Sequence, residues 1–268
     1  VEGINKKKFN FLEPKNFSNL LKKDEIKYVI NAAAYTKVED AERNNKICYE
    51  VNSNAVHNIA TICKTCDVHL IHFSTDYIYN GEKKEPYIES DEASPLNIYG
   101  DSKNRADQFI MTSQCQYTIF RTSWVYGTEG YNFVKSILSK AINQNELTVV
   151  SDQYGTPTSS LLIAQVIDIF LLNITKKTKD IKRNQVFNLC PSGFTTWYGF
   201  ACSIIKQASK IDTKYDIEVK PTTSSNYSSS VKRPSYTVLS NKKICSYFDI
   251  DIQNWEYYLM RFLEKNIQ

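Results

Sequence analysis

Val68-His-Leu-Ile-His-Phe-Ser-Thr-Asp-Tyr-Ile-Tyr-Asn-Gly81, followed later by Tyr99-Gly-Asp-Ser-Lys103, decides how this chain reads. Residues 68–74 form an apolar run of strand length, closed by the hydroxyls of Ser74 and Thr75. A loop rich in Glu, Lys, Pro and Asp then runs through residue 96, and a loop of that length inside a compact domain is usually functional. Asn97 or Asp101 starts a helix that continues to about Thr112. Tyr99 and Lys103 are four apart in it and share one face. An ammonium about 5 Å from a phenol at an effective dielectric of about 20 favours the phenolate by roughly 3 kcal/mol, or about two pKa units. That moves the tyrosine toward acid–base work, and the Ser74 and Thr75 hydroxyls would hold a substrate oxygen beside it. The set suits proton transfer at an alcohol or carbonyl oxygen, with a hydride from a cofactor as the other half. Tyr-x-x-x-Lys alone is a weak signal in a chain with 18 tyrosines. The order of strand, hydroxyl pair, polar loop and Tyr/Lys helix is what gives it weight.

Outward from that stretch, strand and helix patterns alternate. Residues 16–23 read as a short helix with Phe17, Leu20 and Leu21 at helical spacing. Tyr28-Val-Ile-Asn-Ala-Ala-Ala34 reads as a buried strand whose small last residues let a ligand approach the backbone. A helical turn follows over 38–43 and a longer helix over 48–64, with Val51, Ala55, Val56, Ile59, Ile62 and Cys63 as its apolar stripe. Beyond the central helix come strands at 117–122, 147–150 and 185–189. Helices are predicted at 133–141, 159–172, 198–208 and 254–265, with a Ser/Thr/Asn loop at 222–230. The alternation predicts an α/β fold, a Rossmann-like doubly wound parallel sheet covered on both faces. Ligands of such sheets bind beyond the strands' carboxyl ends, where Ala32-Ala33-Ala34, Ser74-Thr75-Asp76 and Thr122-Ser123-Trp124 converge. His69 and His72, three apart in a strand, face opposite sides and read as packed or exposed, not catalytic.

Composition narrows the classes. The 268 residues are 42% hydrophobic and 23% charged, with a net charge of +4 from mixed-sign residues. This matches a globular protein and gives no basic patch for nucleic acid. No apolar run reaches bilayer length, and residues 1–8 lack a signal-peptide core, so neither membrane nor nucleic acid is an expected partner. Seven cysteines, an odd number in a chain this long, read as reduced thiols in a cytoplasmic protein. Cys63-Lys-Thr-Cys66 has no second pair to complete a metal site and reads as helix packing.

Several further motifs carry a resemblance. Asn31-Ala-Ala-Ala-Tyr-Thr36 with Glu39-Asp-Ala-Glu42, Ser74-Thr-Asp-Tyr-Ile-Tyr-Asn-Gly81, Pro95-Leu-Asn-Ile-Tyr-Gly-Asp-Ser-Lys103, Arg121-Thr-Ser-Trp-Val-Tyr-Gly127 and Asp152-Gln-Tyr-Gly-Thr-Pro-Thr158 stand in this order. Together they resemble the dTDP-4-dehydrorhamnose reductases, a branch of the extended short-chain dehydrogenase/reductases. The resemblance implies reduction of the 4-keto group of dTDP-4-dehydro-β-L-rhamnose by NADPH or NADH. It implies that Thr75 holds the sugar's C4 oxygen, Tyr99 donates its proton, and Lys103 binds the nicotinamide ribose and lowers the Tyr99 pKa. Asp76, Tyr77 and Trp124 would line the sugar pocket, and Arg233 would contact the nucleotide. Ala33, Ala34 and Thr36 would follow the cofactor. Residues 1–130 would form the dinucleotide-binding domain. Residues 131–268 would form mainly the substrate domain, with some elements returning to the sheet. No metal ligand among these residues is predicted; the resemblance admits Mg²⁺ and a homodimer without requiring either. Related epimerases and dehydratases share the Tyr/Lys pair but need extra acid–base groups where this chain has Ser74-Thr-Asp-Tyr77. A non-catalytic relative, as in the regulatory subunit of methionine adenosyltransferase, is the reading from a different class.

One departure stands out. The family opens with a strand, a Gly-x-x-Gly-x-x-Gly turn, a helix and a second strand. Here Gly3 is the only glycine before Gly81, and Asn10-Phe-Leu-Glu13 stands at the family's early Asp-x-Thr-Asp segment. The glycine turn anchors the pyrophosphate on a helix N-terminus. Its absence predicts an unpaired apolar edge on the strand at 28–33. It also predicts weak activity, or none, for this polypeptide alone, as a shortened enzyme or as a scaffold descended from one.

Overall fold

The computed structural model describes residues 15–23, 26–176, 184–226 and 230–267; the segment 10–13 lies outside them. The order of elements is α1 (Lys15–Lys23), β1 (Tyr28–Asn31), α2 (Val38–Arg43), α3 (Asn45–Tyr49), a π-helical turn (Glu50–Asn54), α4 (Ala55–Thr65), β2 (His69–Thr75), α5 (Ile98–Thr112) and β3 (Tyr117–Thr122). Next come β4 (Val125–Tyr126), α6 (Phe133–Asn143), β5 (Glu146–Val150), β6 (Tyr154–Gly155), β7 (Thr158–Ser159), α7 (Ser160–Lys176) and β8 (Gln185–Asn188). β9 (Thr195–Thr196), α8 (Trp197–Ile211), β10 (Glu218–Thr222), α9 (Lys242–Phe248) and α10 (Trp255–Asn266) complete it.

The main sheet has the order β1-β2-β3-β8, with every pair parallel. Its strands send alternate side chains to opposite faces. Leu70 and Ile119 pack with Val56, Ile59, Ala106 and Ile110 under α4 and α5. Their neighbours Ile71 and Phe120 pack with Val166 and Phe170 of α7 and with Ile244 and Phe248 of α9. Both faces are covered, as a doubly wound sheet requires. Among the described residues β1 pairs only with β2, and Ile30 on it is 36% exposed.

A second, smaller core lies beside this sheet. β5 pairs in parallel with β10, and Ile137, Leu147, Phe200, Ile204, Leu259 and Phe262 join α6, α8 and α10 to it. Thus the strand read at 147–150 belongs outside the main sheet. β10 escaped the sequence reading because Pro221 sits inside it, and proline is tolerated there only because the strand is at an edge. Helix α9 also went unread; it is seven residues long and ends on Asp249 in the left-handed region (φ 56°). The helix expected over 48–64 is continuous but is widened by the π-helical turn, an insertion that often marks functional positions.

α5 carries the central motif, and its start is well defined. Asn97 caps it, its side chain accepting the Gly100 N–H at 2.8 Å. Gly100 admits a close approach: a Cβ there would lie 2.2 Å from the Tyr77 carbonyl oxygen. Glycine thus lets the loop after β2 lie directly on the first turn of α5.

Candidate active site

Two polar residues on β2 meet two on α5. His72 and Ser74 are two apart in a strand and share a face. Lys103 and Asp107 are one helical turn apart on the facing side of α5. Side-chain reach brings Lys103 to His72 and Asp107 to Ser74. The Lys103 Nζ donates to the Phe73 carbonyl at 2.6 Å and lies 3.1 Å from the His72 Nε2. The Ser74 hydroxyl donates to Asp107 at 2.9 Å. Arg121 of β3 pairs with Asp107 at 3.4 Å and donates to the Tyr79 hydroxyl at 2.9 Å. All five of His72, Ser74, Lys103, Asp107 and Arg121 are buried. Burial pushes the Asp107 carboxyl up, opposed first by the Arg121 charge and then by Lys103.

Above this layer opens a cavity of about 790 Å³. Ser74, Thr75, Asp76, Tyr77 and Tyr99 line it from the sheet side, with Thr36 of the loop after β1 and Val38 at the start of α2. Trp124, Tyr126, Asn132 and Trp197 line it from the smaller core. The Thr75 side chain hydrogen-bonds the Tyr99 phenol and donates to the Asp76 carboxylate at 3.0 Å. Tyr77 packs edge-on against Tyr99, ring centroids 5.9 Å apart. Asp76 is 2% exposed, and its Oδ2 has no hydrogen-bond partner. Burial pushes its carboxyl up to about 7, against hydrogen bonds from Thr237 and Thr75.

The structure arranges the Tyr/Lys pair differently from the sequence expectation. The Lys103 ammonium is turned toward the sheet, where Phe73 and His72 hold it. Burial dominates the Tyr99 phenol and pushes it up to about 12; the Thr75 hydrogen bond works against this and the Asp76 charge adds to it. Burial also lowers Lys103 to about 8, offset in part by Asp107. The ion-pair lowering of Tyr99 anticipated from the i,i+4 spacing is therefore not the effect that governs its protonation here. At neutral pH the phenol carries its proton.

The other site residues fall in three places. Trp124 lines the cavity in a left-handed conformation (φ 47°), its ring stacked on Trp197 at 3.6 Å and 9°. Gly155 makes room for it, since a Cβ there would lie 2.4 Å from the indole. Ala33 and Ala34 follow the end of β1 without lining the cavity. Arg233 lines a neighbouring cavity of about 650 Å³ with Lys83, Lys232, Tyr154 and Phe194. It pairs with Glu39 at 2.9 Å and hydrogen-bonds Tyr77, so it stands at the wall between the two cavities.

Four contributors were missed by the sequence reading. His72 is not merely packed, because it holds Lys103. Asn31 lies 3.1 Å from its other ring nitrogen, and Asp107 faces Ser74. Asn52, in the π-helical turn, accepts the Tyr35 N–H at 2.7 Å and donates to the Tyr35 carbonyl and to Ser102. It thereby fixes the loop after β1 against α5. The position of His72 two residues before Ser74, on the same strand face, was the one available signal for it.

The residues fit the nicotinamide end of a dinucleotide: Thr36 and Val38 line the cavity together with the Tyr99 phenol, and Lys103 is buried on the same helix as Tyr99. Among the described residues no cluster of three or more His, Cys, Asp or Glu is arranged to hold a metal ion, so Mg²⁺ gains no support. All seven cysteines are free, and Cys63 is buried in the α4 packing as expected of it. No described helix is long and apolar enough to cross a membrane.

A parallel sheet covered on both faces, with a Tyr/Lys helix at its carboxyl end, defines a Rossmann-like oxidoreductase of the short-chain dehydrogenase/reductase class. Comparison with known proteins narrows this. Residues 1–267 match the family described as the RmlD substrate binding domain. The dTDP-4-dehydrorhamnose reductase of Escherichia coli is 30% identical over 259 residues, 96% of this chain and 85% of that protein. That of Burkholderia thailandensis is 31% identical over 248 residues, 91% and 83% of the two chains. The crystal structure of dTDP-4-dehydrorhamnose reductase from Bacillus anthracis in complex with NADP superposes with a TM-score of 0.87 at 27% identity, covering 98% of this chain and 89% of that one. The chain belongs to the RmlD family of dTDP-4-dehydrorhamnose reductases.

Proposed function

We propose that this protein reduces the 4-keto group of dTDP-4-dehydro-β-L-rhamnose to give dTDP-L-rhamnose, with NADPH or NADH as reductant. The observation that carries the reading is the convergence of Thr75, Tyr99 and Asp76 on one cavity with the phenol protonated. Reduction of a ketone needs an acid at the oxygen, and a phenol at about 12 is still an acid at every working pH. Thr75 holds the sugar's C4 oxygen, and Tyr99 gives that oxygen its proton as the alkoxide forms. The nicotinamide supplies the hydride to C4. Ala33, Ala34 and Thr36 follow the cofactor on the β1 side, and Lys103 faces its ribose from beneath. Asp76, Tyr77 and Trp124 line the sugar, and Arg233 stands toward the nucleotide. On this reading residues 1–130 serve mainly the cofactor and 131–268 mainly the nucleotide sugar. The free thiols support a cytoplasmic setting.

The test is a coupled assay of the full-length protein with dTDP-4-dehydro-β-L-rhamnose, following NADPH or NADH oxidation and product together. Substrate-dependent oxidation that disappears in Tyr99→Phe is the expected result. A folded wild-type protein that binds both ligands without turnover would favour the scaffold reading.

A further inference from the structure

His72 is fully buried in the centre of the sheet, with a potential hydrogen-bond partner at each ring nitrogen. Burial and the nearby Lys103 charge both disfavour its protonated form, so the ring is neutral. A neutral imidazole carries one N–H and one lone pair. Asn31 stands directly across from His72 in the parallel register. The Asn31 Oδ1 accepts the Ala33 N–H at 3.2 Å, which fixes that amide and leaves its Nδ2, a donor, 3.1 Å from the His72 Nδ1. An ammonium on Lys103 is also only a donor, and it lies 3.1 Å from the Nε2. Two donors cannot both be satisfied by one neutral imidazole.

Two arrangements resolve the conflict. In the first, Lys103 is a neutral amine: its lone pair accepts the His72 Nε2–H, its own N–H donates to Phe73, and Asn31 stays bonded to Ala33. In the second, Lys103 is charged and donates to Nε2. The ring proton then sits on Nδ1, and Asn31 turns its oxygen to His72 and frees the Ala33 N–H. Passing from the second to the first moves one Lys103 proton to Nε2 and releases the Nδ1 proton to solvent, a net loss of one proton.

We propose that His72 is a positioning residue that couples the charge of Lys103, through its tautomer and the Asn31 amide, to the backbone N–H of Ala33. Only the kinetic part of this inference rests on the proposed reductase function. Ala33 lies on the segment assigned to the cofactor, so a cofactor that takes its N–H would hold Lys103 charged. The groups that face Lys103 are Asp107 on its own helix, paired with Arg121 of β3, and the Cys48 thiol on α3. Among the described residues, Lys103 is the titratable group whose charge acts on His72. Asp107 accepts from Ser74 and Arg121, which leaves the lysine to set the tautomer.

The experiment is nitrogen NMR of the full-length protein labelled with ¹⁵N-histidine, without ligand, from about pH 6 to about pH 10. The chain has only three histidines, and His72→Gln identifies the signal. A ring that stays neutral and passes from the Nδ1–H to the Nε2–H form as Lys103 loses its proton is the expected result. The passage should be absent in Lys103→Met. A single tautomer throughout, a passage that survives Lys103→Met, or an imidazolium near neutral pH would overturn the proposal. Kinetically, His72→Phe should lower kcat on the order of tenfold and shift the alkaline limb of the pH profile, with little change in KM for the sugar. His72→Gln, which keeps an acceptor for Lys103, should recover most of the rate. A working wild type with unchanged kcat and pH profile in His72→Phe also overturns it. A wild type without turnover counts against the proposed function, and the NMR result then decides this proposal alone.

Discussion

At the scale of single residues, the decisive contrast is between Tyr99 and Asp76. Both are pushed upward by burial, yet in opposite functional senses: the phenol is kept as an acid, and the carboxyl is brought close to neutral pH. Tyr99→Phe removes the proton donor and nothing else of the ring. It should cut kcat by about 10²–10⁴ while binding of NADPH, read by fluorescence, stays within a few-fold. Asp76 makes a pH prediction. Its carboxyl titrates at about 7 when folded against 3.8 when unfolded, so across that interval the folded chain keeps a proton that the unfolded chain loses. Stability from this group is full below the unfolded value and falls away as the pH rises through about 7. Asp76→Asn should therefore raise Tm more at about pH 8 than at about pH 4. An equal change at both pH values would show that the carboxyl does not titrate as its burial demands. The sequence picked out Thr75 and Tyr99, which line the cavity, and the i,i+4 step from Tyr99 to Lys103, but not that Lys103 turns to His72 and Phe73. His72, Asn31 and Asp107 were not legible, because what defines each is a partner on another element.

Between elements, α5 and β2 form the interface on which the site rests. Its N-terminal end is polar, with Lys103 and Asp107 over His72 and Ser74, while Ala106 and Ile110 pack against Leu70. The buried Asp107–Arg121 pair is costly to break from one side, because the partner left behind is a buried charge that has lost its paired counter-charge. Arg121→Leu should destabilise the protein by about 3–5 kcal/mol, measured by denaturant unfolding. A loss under about 1 kcal/mol would mean that Asp107 is already neutral in the fold and needs no counter-charge. The helix positions were readable from apolar periodicity, and the Asn97 cap from residue type. The π-helical turn was not, since no simple period announces an insertion. β10 was hidden by its own proline.

For the whole molecule, the cavity lies where the large parallel sheet meets the smaller core. Thr75, Asp76 and Tyr99 come from the former, and Trp197, Asn132 and the stacked Trp124 from or against the latter. The alternation of strands and helices made the doubly wound sheet legible. The separate β5–β10 sheet was not, because a short apolar strand does not say which sheet it joins until its partner is known. A ligand spanning this seam binds only when both cores are folded and docked, so its free energy adds to the stability of the whole chain. At a ligand concentration about 100 times Kd the gain is about 2.7 kcal/mol. For a chain of this size that corresponds to a rise in Tm on the order of 5–10 °C. dTDP-L-rhamnose should produce such a shift in a thermal unfolding scan, and Trp124→Ala should reduce it sharply by unstacking Trp197 and opening the seam. A wild-type Tm unmoved by saturating dTDP-L-rhamnose would mean that the seam is not where the nucleotide sugar binds. A shift retained in full by Trp124→Ala would instead place the sugar's energetic contacts on the sheet side, at Thr75, Asp76 and Tyr77.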